Sequence, residues 1–453
     1  MEHLTDRQRA RYQALLELAD RPFDVERPAV FSPAAAAQDE ANVKGLLFRW
    51  TPVFIPYEYT NWSEESLAHV RSCYIGDWSA IGKLRVRGTE ALTALTRIGM
   101  NNLSRFEPGQ IKHHVQLDER GHIASEGLLY RVAEEEFVYS GGGVDWTAWQ
   151  IDQGGWDAKS EVISPDMFIF EIQGPTSLFA LEAATGESLR DIGFNRSRMT
   201  SISGIPVRIL RSGISGELGY ELHGSADDAN AIWTAVVEAG AEHGIRQLGM
   251  RSQLVAHIEA GIATVGIDYL PSSIITPGAP KLFPRGMPDG SFIPADVTEY
   301  FRRPGELGWG RRGALTSHDF IGRDALAAEA AAGGPARHLA GLHWNNEDVI
   351  ALFASQFGDG PLPDPMEMPR KIGASLDQVL LNGNPVGVST SRTYSTHLRR
   401  TISLCVIERE LAAPGTEVTV LWGNPGTAQR EIRATVTSLP MKEDRRRIDV
   451  NTL

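Results

Sequence analysis

Three groups of residues in this chain have the types and spacing to do chemistry. The first is the run Arg211-Ser-Gly-Ile-Ser-Gly-Glu217-Leu-Gly-Tyr-Glu221, where three glycines bracket one carboxylate between the apolar strand Ile205 to Leu210 and a second one. Glycines permit positive φ and close approach by another molecule, and a carboxylate held out of such a turn accepts two hydrogen bonds from a flat, amide-like donor edge. A plain hairpin turn with a solvated Glu217 fits the same run. The second group is His113 and His114 ahead of Glu126. On a strand the two histidines point to opposite faces, so at most one serves a cavity. His113 is the first choice as a general acid, with a purely structural strand histidine as the alternative. The third group is aromatic: Tyr57, Tyr59, Trp62, Trp78, Trp146 and Trp149 are ample material for a slot that takes a ring.

The elements that must position these groups alternate between strand and helix. Residues 5 to 20 have helix-like spacing, with Leu15, Leu16 and Leu18 among charges, until Pro22, Pro28 and Pro33 break it. Ser63-Glu-Glu-Ser starts a helix with a capping pattern. Val86 to Met100 joins a strand to an amphipathic helix, and strands follow at His113 to Leu117 and Leu128 to Val132. The pattern repeats in outline from Ser164: strand Met167 to Ile172, helix Pro175 to Glu182, strands Val207 to Leu210 and Tyr220 to His223, then helix Asp227 to His243. Residues 271 to 315, rich in Pro and Gly, read as a loop-dominated linker, and residues 338 to 437 as short strands separated by turns. The class is α+β with a β-rich C-terminal domain.

Composition sets the outer limits. A chain of 453 residues exceeds one hydrophobic core, so two or three domains are expected. The hydrophobic fraction of 42% is that of a globular protein, no apolar run has the length of a membrane span, and the start has no signal-peptide core. A cytoplasmic location is expected. With only Cys73 and Cys405, a disulfide framework or cysteine metal cluster is excluded, and no metal is expected. The net charge of -13 argues against nucleic acid and acidic membranes as partners, so an anionic ligand must find a local positive site.

The Arg211 to Glu221 run resembles the R-T-G-Y-T-G-E-x-G-[FY]-E signature of the glycine-cleavage T-protein (aminomethyltransferase) superfamily of tetrahydrofolate enzymes, with Ile214 in place of the usual Tyr. Other blocks follow in that family's order. Asp77-Trp-Ser-Ala-Ile-Gly-Lys-Leu-Arg-Val-Arg-Gly88 is similar to its D-V-S-H-M-G segment, and Gly121-His-Ile-Ala-Ser-Glu126-Gly-Leu-Leu-Tyr130 to G-G-x-I-x-D-D-L-x-V-Y. Phe170-Glu-Ile-Gln-Gly-Pro175, Ile258-Glu-Ala-Gly261 and Val386 to Ser395 match later segments. The resemblance implies a T-protein-like three-domain ring: two intertwined α+β domains and a β-barrel-like third domain around a central folate cavity. The implied boundaries are an arm over 1–44, a first α+β domain over 45–78 and 165–262, a second over 79–164 and 263–315, and a C-terminal domain over 316–453. It also implies that Glu217 holds a pterin edge, Ile81 lines the ring face, and His257, Tyr220 and Tyr394 contact the cofactor. For both tyrosines a core aromatic with a bonded hydroxyl is the alternative.

The departures from the pattern point to a branch. Ser125-Glu126 replaces an Asp-Asp pair, His257 an Arg, and Ala80-Ile81 a His-Met pair, which argues against aminomethyl transfer from a lipoyl arm. Strings such as Ala133-Glu-Glu-Glu-Phe-Val-Tyr139 and Asp319 to Leu326 resemble the tetrahydrofolate-dependent aryl O-demethylases of the vanillate and syringate type. The implied reaction carries the methyl group of an aromatic methyl ether to tetrahydrofolate. It needs alignment, a proton for the departing phenolate, an aromatic slot and a cation for any ring carboxylate. Candidate catalytic residues are His113, Glu126 and Gln253, the last standing where vanillate-type enzymes carry a phenolic residue. Candidate substrate-binding residues are Tyr57, Tyr59, Trp78, Trp146 and Arg251, with Arg392 a second candidate cation. Gly142 stands where the vanillate-type enzyme carries a carboxylate-binding Arg, so a methoxybenzoate of another kind, such as the chlorinated dicamba, fits the pattern better. The alternatives are a folate-dependent demethylase of a sulfonium or amine, a true aminomethyltransferase, and a folate-binding assembly or repair protein without methyl transfer. A monomer or small homo-oligomer is expected.

Overall fold

A computed structural model describes residues 30–50, 52–280, 288–310, 314–367 and 374–453. The helix expected over 5 to 20 lies outside them. The centre of the fold is a six-stranded sheet in the order Ser197–Ile202, Ile205–Leu210, Gly219–Ser225, Met167–Gln173, Cys73–Asp77, Ile245–Leu248, in which only the last pair runs parallel. Strand periodicity divides its faces. Phe168, Phe170 and Ile172 on one strand and Tyr220 and Leu222 on the next point to one side, where they pack with Leu178, Leu181 and Trp233 of helices Ser177–Thr185 and Ala229–Gly240. The Phe168 and Phe170 rings lie 4.3 Å apart, and Phe170 meets Trp233 edge-on at 4.9 Å. The alternate residues Ile169, Glu171 and Glu221 are thereby turned to the other face.

A second sheet faces them, in the order Ile111–Leu117, Ile123–Ala133, Glu136–Gly142, Gly82–Arg87, Lys159–Val162, all antiparallel. Its outer side buries Leu84, Val86, Leu129, Phe137 and Tyr139 under helices Ala91–Ile98 and Val144–Gly154. Residues 337–437 close a six-stranded antiparallel barrel, as the short strands and turns of that stretch require. The helix starting at the Ser63 pattern runs Trp62–Arg71, with Asn61 rather than Ser63 as its cap. Cys73 and Cys405 are buried free thiols, and no helix among the described residues is long and apolar enough to cross a membrane.

Buried polar ties join the layers. Glu259, at the end of helix Met250–Glu259, accepts from His69 at 2.8 Å and from Ser395 of the barrel at 2.6 Å. The C-terminal tail returns to the central sheet: Arg211 donates to the Ile448 carbonyl at 2.6 Å, and Val450 enters the main core. Gly174, between Gln173 and Pro175, has φ 129°, and a Cβ there would lie 2.4 Å from the Ser72 carbonyl oxygen. Backbone would have to move to admit it. Gly174→Ala is therefore expected to cost about 1–3 kcal/mol, read as a lower thermal unfolding temperature, whereas Gly186→Ala, with open space at its Cβ position, should cost less.

Candidate active site

Between the two facing sheets lies a cavity of about 1410 Å³. The central sheet contributes Ile169, Glu171 and Glu221, the second sheet His113, Glu126 and Leu128, and helix Met250–Glu259 contributes Met250, Gln253, Leu254 and His257. Trp50, Trp78 and Ile81 add apolar wall, and Arg446 and Arg447 reach it from the C-terminal tail. The barrel strands contribute none of the wall, although Ser391 of the barrel lies 3.4 Å from His257.

Glu171 and Glu221 are direct partners across adjacent antiparallel strands, so their side chains stand side by side on the cavity floor. Both are about 5% exposed. Gln173 donates its amide to Glu171, and a His223 ring nitrogen lies 2.9 Å from Glu221. Burial first, and the neighbouring Glu221 second, hold the Glu171 carboxyl well above the usual carboxylate range. Burial also holds the His223 imidazolium down.

On the opposite wall His113 Nε2 lies 2.9 Å from Glu126 Oε2, and the imidazole meets Trp309 edge-on at 4.8 Å. His114 takes the other face of that strand. Its Nε2 meets the Leu95 carbonyl at 2.9 Å, and burial lowers its pKa to about 4, so it sits neutral in the core. Gln253 is buried over Gly76; its Nε2 makes a long 3.4 Å bond to the Leu248 carbonyl and its Oε1 has no partner. Asp145, in the first turn of helix Val144–Gly154, is a further cavity carboxylate whose pKa burial raises.

Of the residues singled out from the sequence, His113, Glu126, Gln253, Ile81, His257 and Trp78 are brought together at this cavity. The others are not. Glu217 is turned away from the cavity and sealed by the tail: Lys442 Nζ lies 2.8 Å from its Oε1, both side chains are only about 5–6% exposed, and Arg445 N–H donates to the Gly216 carbonyl. The wall carboxylate is instead Glu221, four residues on, where strand alternation directs it inward. That same alternation buries Tyr220 in the main core. Tyr59 stacks on Trp233 in that core, and Tyr57 packs on Phe48 in a satellite core. Trp146 is buried against Ala124, Ala279 and Trp149. Tyr394 is on the surface, edge-on to Trp62. Arg251 pairs with Glu58 at 3.0 Å and stacks over Trp62, while Arg392 stacks over Trp422 of the barrel. Glu171 and Glu221 were missed as site residues. Their signal is a carboxylate at an alternate position of a strand whose other face is apolar.

The GCVT N-terminal domain family matches residues 24–276, and the glycine cleavage T-protein C-terminal barrel domain matches residues 366–442. The chain belongs to the glycine cleavage T-protein family. Among its relatives, a sesamin methylene transferase of Sinomonas sp. (strain No.22) is 36% identical over 85% of this chain and 90% of its own length. A syringate O-demethylase of Sphingobium sp. (strain NBRC 103272 / SYK-6) is 30% identical over 85% and 89%. An aminomethyltransferase of Halalkalibacterium halodurans is 25% identical over 85% and 91%. The T-protein fold is shared with the glycine cleavage system aminomethyltransferase T of Bartonella henselae, at a TM-score of 0.70 and 19% identity over 92% of this chain and 99% of that one.

Within this T-protein family member, Glu217 and Lys442 form a buried ion pair outside the cavity lining. Removing one partner strands a buried charge. Lys442→Met is expected to cost about 3 kcal/mol in thermal or denaturant unfolding, and pairing it with Glu217→Met should recover most of the loss.

Proposed function

We propose that this chain is a cytoplasmic tetrahydrofolate-dependent O-demethylase that moves the methyl group of an aromatic methyl ether to tetrahydrofolate, giving a phenol and 5-methyltetrahydrofolate. The observation that carries the reading is one cavity with a buried carboxylate pair on one wall and a His–Glu pair on the opposite wall. The two relatives named for one-carbon transfer, the methylene transferase and the O-demethylase, support it over most of the chain.

The residues present fit a reduced folate. Glu221 offers the acceptor for the pterin's amide-like edge, the orphaned Gln253 Oε1 offers another, and Trp78, Ile81, Ile169 and Ile214 supply apolar faces for a flat ring. Bound tetrahydrofolate supplies the nitrogen that takes the methyl group. As the carbon–oxygen bond breaks, its electron pair stays on oxygen, and an unprotonated phenolate is a poor leaving group. His113 donates the proton that turns it into a phenol, while Glu126, 2.9 Å from its Nε2, orients the ring and stabilises the charged imidazolium. The walls formed by Met250, Leu254, Val265 and Trp50 exclude water from the transfer.

The 36% identity to a methylene transferase favours a second reading, in which the same walls hold a methylenedioxy bridge between two aryl oxygens. Both oxygens then leave as a catechol, and the carbon leaves as 5,10-methylenetetrahydrofolate with no change in oxidation level. Mass analysis of the folate product from a panel of methoxybenzoates, chlorinated methoxybenzoates and methylenedioxybenzenes separates the two. Folate that gains no carbon from any of them would sink both and favour the amine, sulfonium or non-catalytic alternatives. His113→Ala is expected to slow turnover by about 10²–10⁴-fold, more for ethers of basic phenols than for chlorinated ones. Equal slowing across the series would remove His113 from the leaving oxygen.

A further inference from the structure

Glu221, Glu171 and Gly76 stand in register on three adjacent strands of the central sheet, and the Gln253 side chain lies over the glycine. A Cβ on Gly76 would sit 2.7 Å from the Trp78 ring and 2.9 Å from Gln253 Nε2, so the missing side chain is what lets both lie over the strand next to that of Glu171. The result is one polar row on an otherwise apolar floor. Its amide oxygen is unpartnered in a residue 4% exposed, which marks a place where a ligand's donor is missing.

We infer that Glu171, Glu221 and Gln253 form one cradle for the edge of a reduced pterin, in which Glu171 carries a proton and donates it to a ring acceptor. The inference rests on the folate reading and adds a binding residue and a protonation state to it. A reduced pterin presents N–H donors at its amino group and ring nitrogens, interleaved with acceptors at its carbonyl oxygen and a ring nitrogen. With both carboxylates ionised, the only donor in the row would be the Gln253 amide nitrogen, and a ring acceptor in front of Glu171 would face negative charge. A carboxylic acid in the row matches the mixed edge.

The surroundings of Glu171 keep that proton in place. From the neighbouring strands it faces Glu221 and His223 on one side and Tyr74 and Gly76 on the other, while Asp77, in register with Phe170, turns to the opposite face, and Gln173 on its own strand donates to it. Asp77 is held by Ser32 and Gln38. Burial keeps His223 neutral, and it holds Lys83, whose Nζ donates to the Ser79 carbonyl, down to about 7. No Lys or Arg among the described residues forms an ion pair with Glu171. Because burial and the neighbouring Glu221 raise the Glu171 pKa, the proton is held to a higher pH than on an ordinary carboxyl and is lost as pH rises through the raised value.

The test is tetrahydrofolate binding, followed by calorimetry or tryptophan quenching from mildly acidic to alkaline pH. Wild type should lose affinity on the alkaline side. Glu171→Gln, which keeps a donor that cannot ionise, should bind without that alkaline loss, and Glu171→Ala should bind about tenfold more weakly than wild type on the acidic side, equivalent to 1.4 kcal/mol, with the difference shrinking as pH rises. Gln253→Ala should weaken binding in the same direction. An alkaline loss that persists in Glu171→Gln, or a Glu171→Ala that binds as wild type does, overturns the cradle while leaving the folate reading standing. Wild type that binds no reduced folate at any pH overturns both.

Discussion

Two carboxylates set side by side in a place largely withdrawn from water constrain everything around them. At an effective dielectric near 20, like charges about 4 Å apart repel by roughly 4 kcal/mol, a large fraction of a domain's net stability. The fold has to hold Glu171 and Glu221 there and relieve the repulsion, and strand register does the holding. A slip of one residue in Met167–Gln173 would carry Glu171 into the core between Phe170 and Trp233 and turn Phe170 into the cavity. The stacked phenylalanines and the helices above them make that slip prohibitive. Core and site are therefore the two faces of one strand pattern, and neither exists without the other.

That coupling explains what could be read from the sequence. The strand and helix order, the β-rich C-terminal part and the opposite faces of His113 and His114 follow from local periodicity, which does not say which of the two turns inward, and the folate family follows from the order of several short blocks. Glu217 was the attractive carboxylate because glycines bracket it, but a turn residue's direction is set by whatever packs over the turn. Here that is Lys442, 225 residues away. Glu221 was legible by a different rule. In Gly219-Tyr-Glu-Leu-His the polar residues alternate with apolar ones, and Phe168-Ile-Phe-Glu171-Ile shows the same single interruption. Alternation over a strand was the stronger guide than glycine content at its start.

The aromatic slot failed for a related reason. Trp146 follows the cavity residue Asp145 along the chain, yet adjacency along a helix puts neighbours round it, and Tyr57 and Tyr59 belong to a stretch between Trp50 and Trp78 none of which lines the cavity. Trp78 reaches the wall because it follows strand Cys73–Asp77 at the point where the chain turns between the sheets. Arg251 was chosen for its charge. Glu58 and the Trp62 ring satisfy that charge outside the cavity, a contact between segments almost two hundred residues apart. Long-range pairing of charges is the information a single sequence hides best.

The cavity also carries a free-energy cost that a ligand of the proposed kind would relieve. An unpartnered buried oxygen such as Gln253 Oε1 costs about 1–3 kcal/mol, and the repulsion between the carboxylates is eased by the Gln173 amide, the His223 ring and a proton on Glu171. A flat ring with donors facing Glu221 and Gln253 and an acceptor facing Glu171 would satisfy each of these groups at once. An aromatic ether without such an edge would satisfy none of them, which supports the proposed division of the two ligands between opposite walls. On that proposal the ether lies on the side where His113 and Glu126 stand, where its leaving oxygen needs a proton.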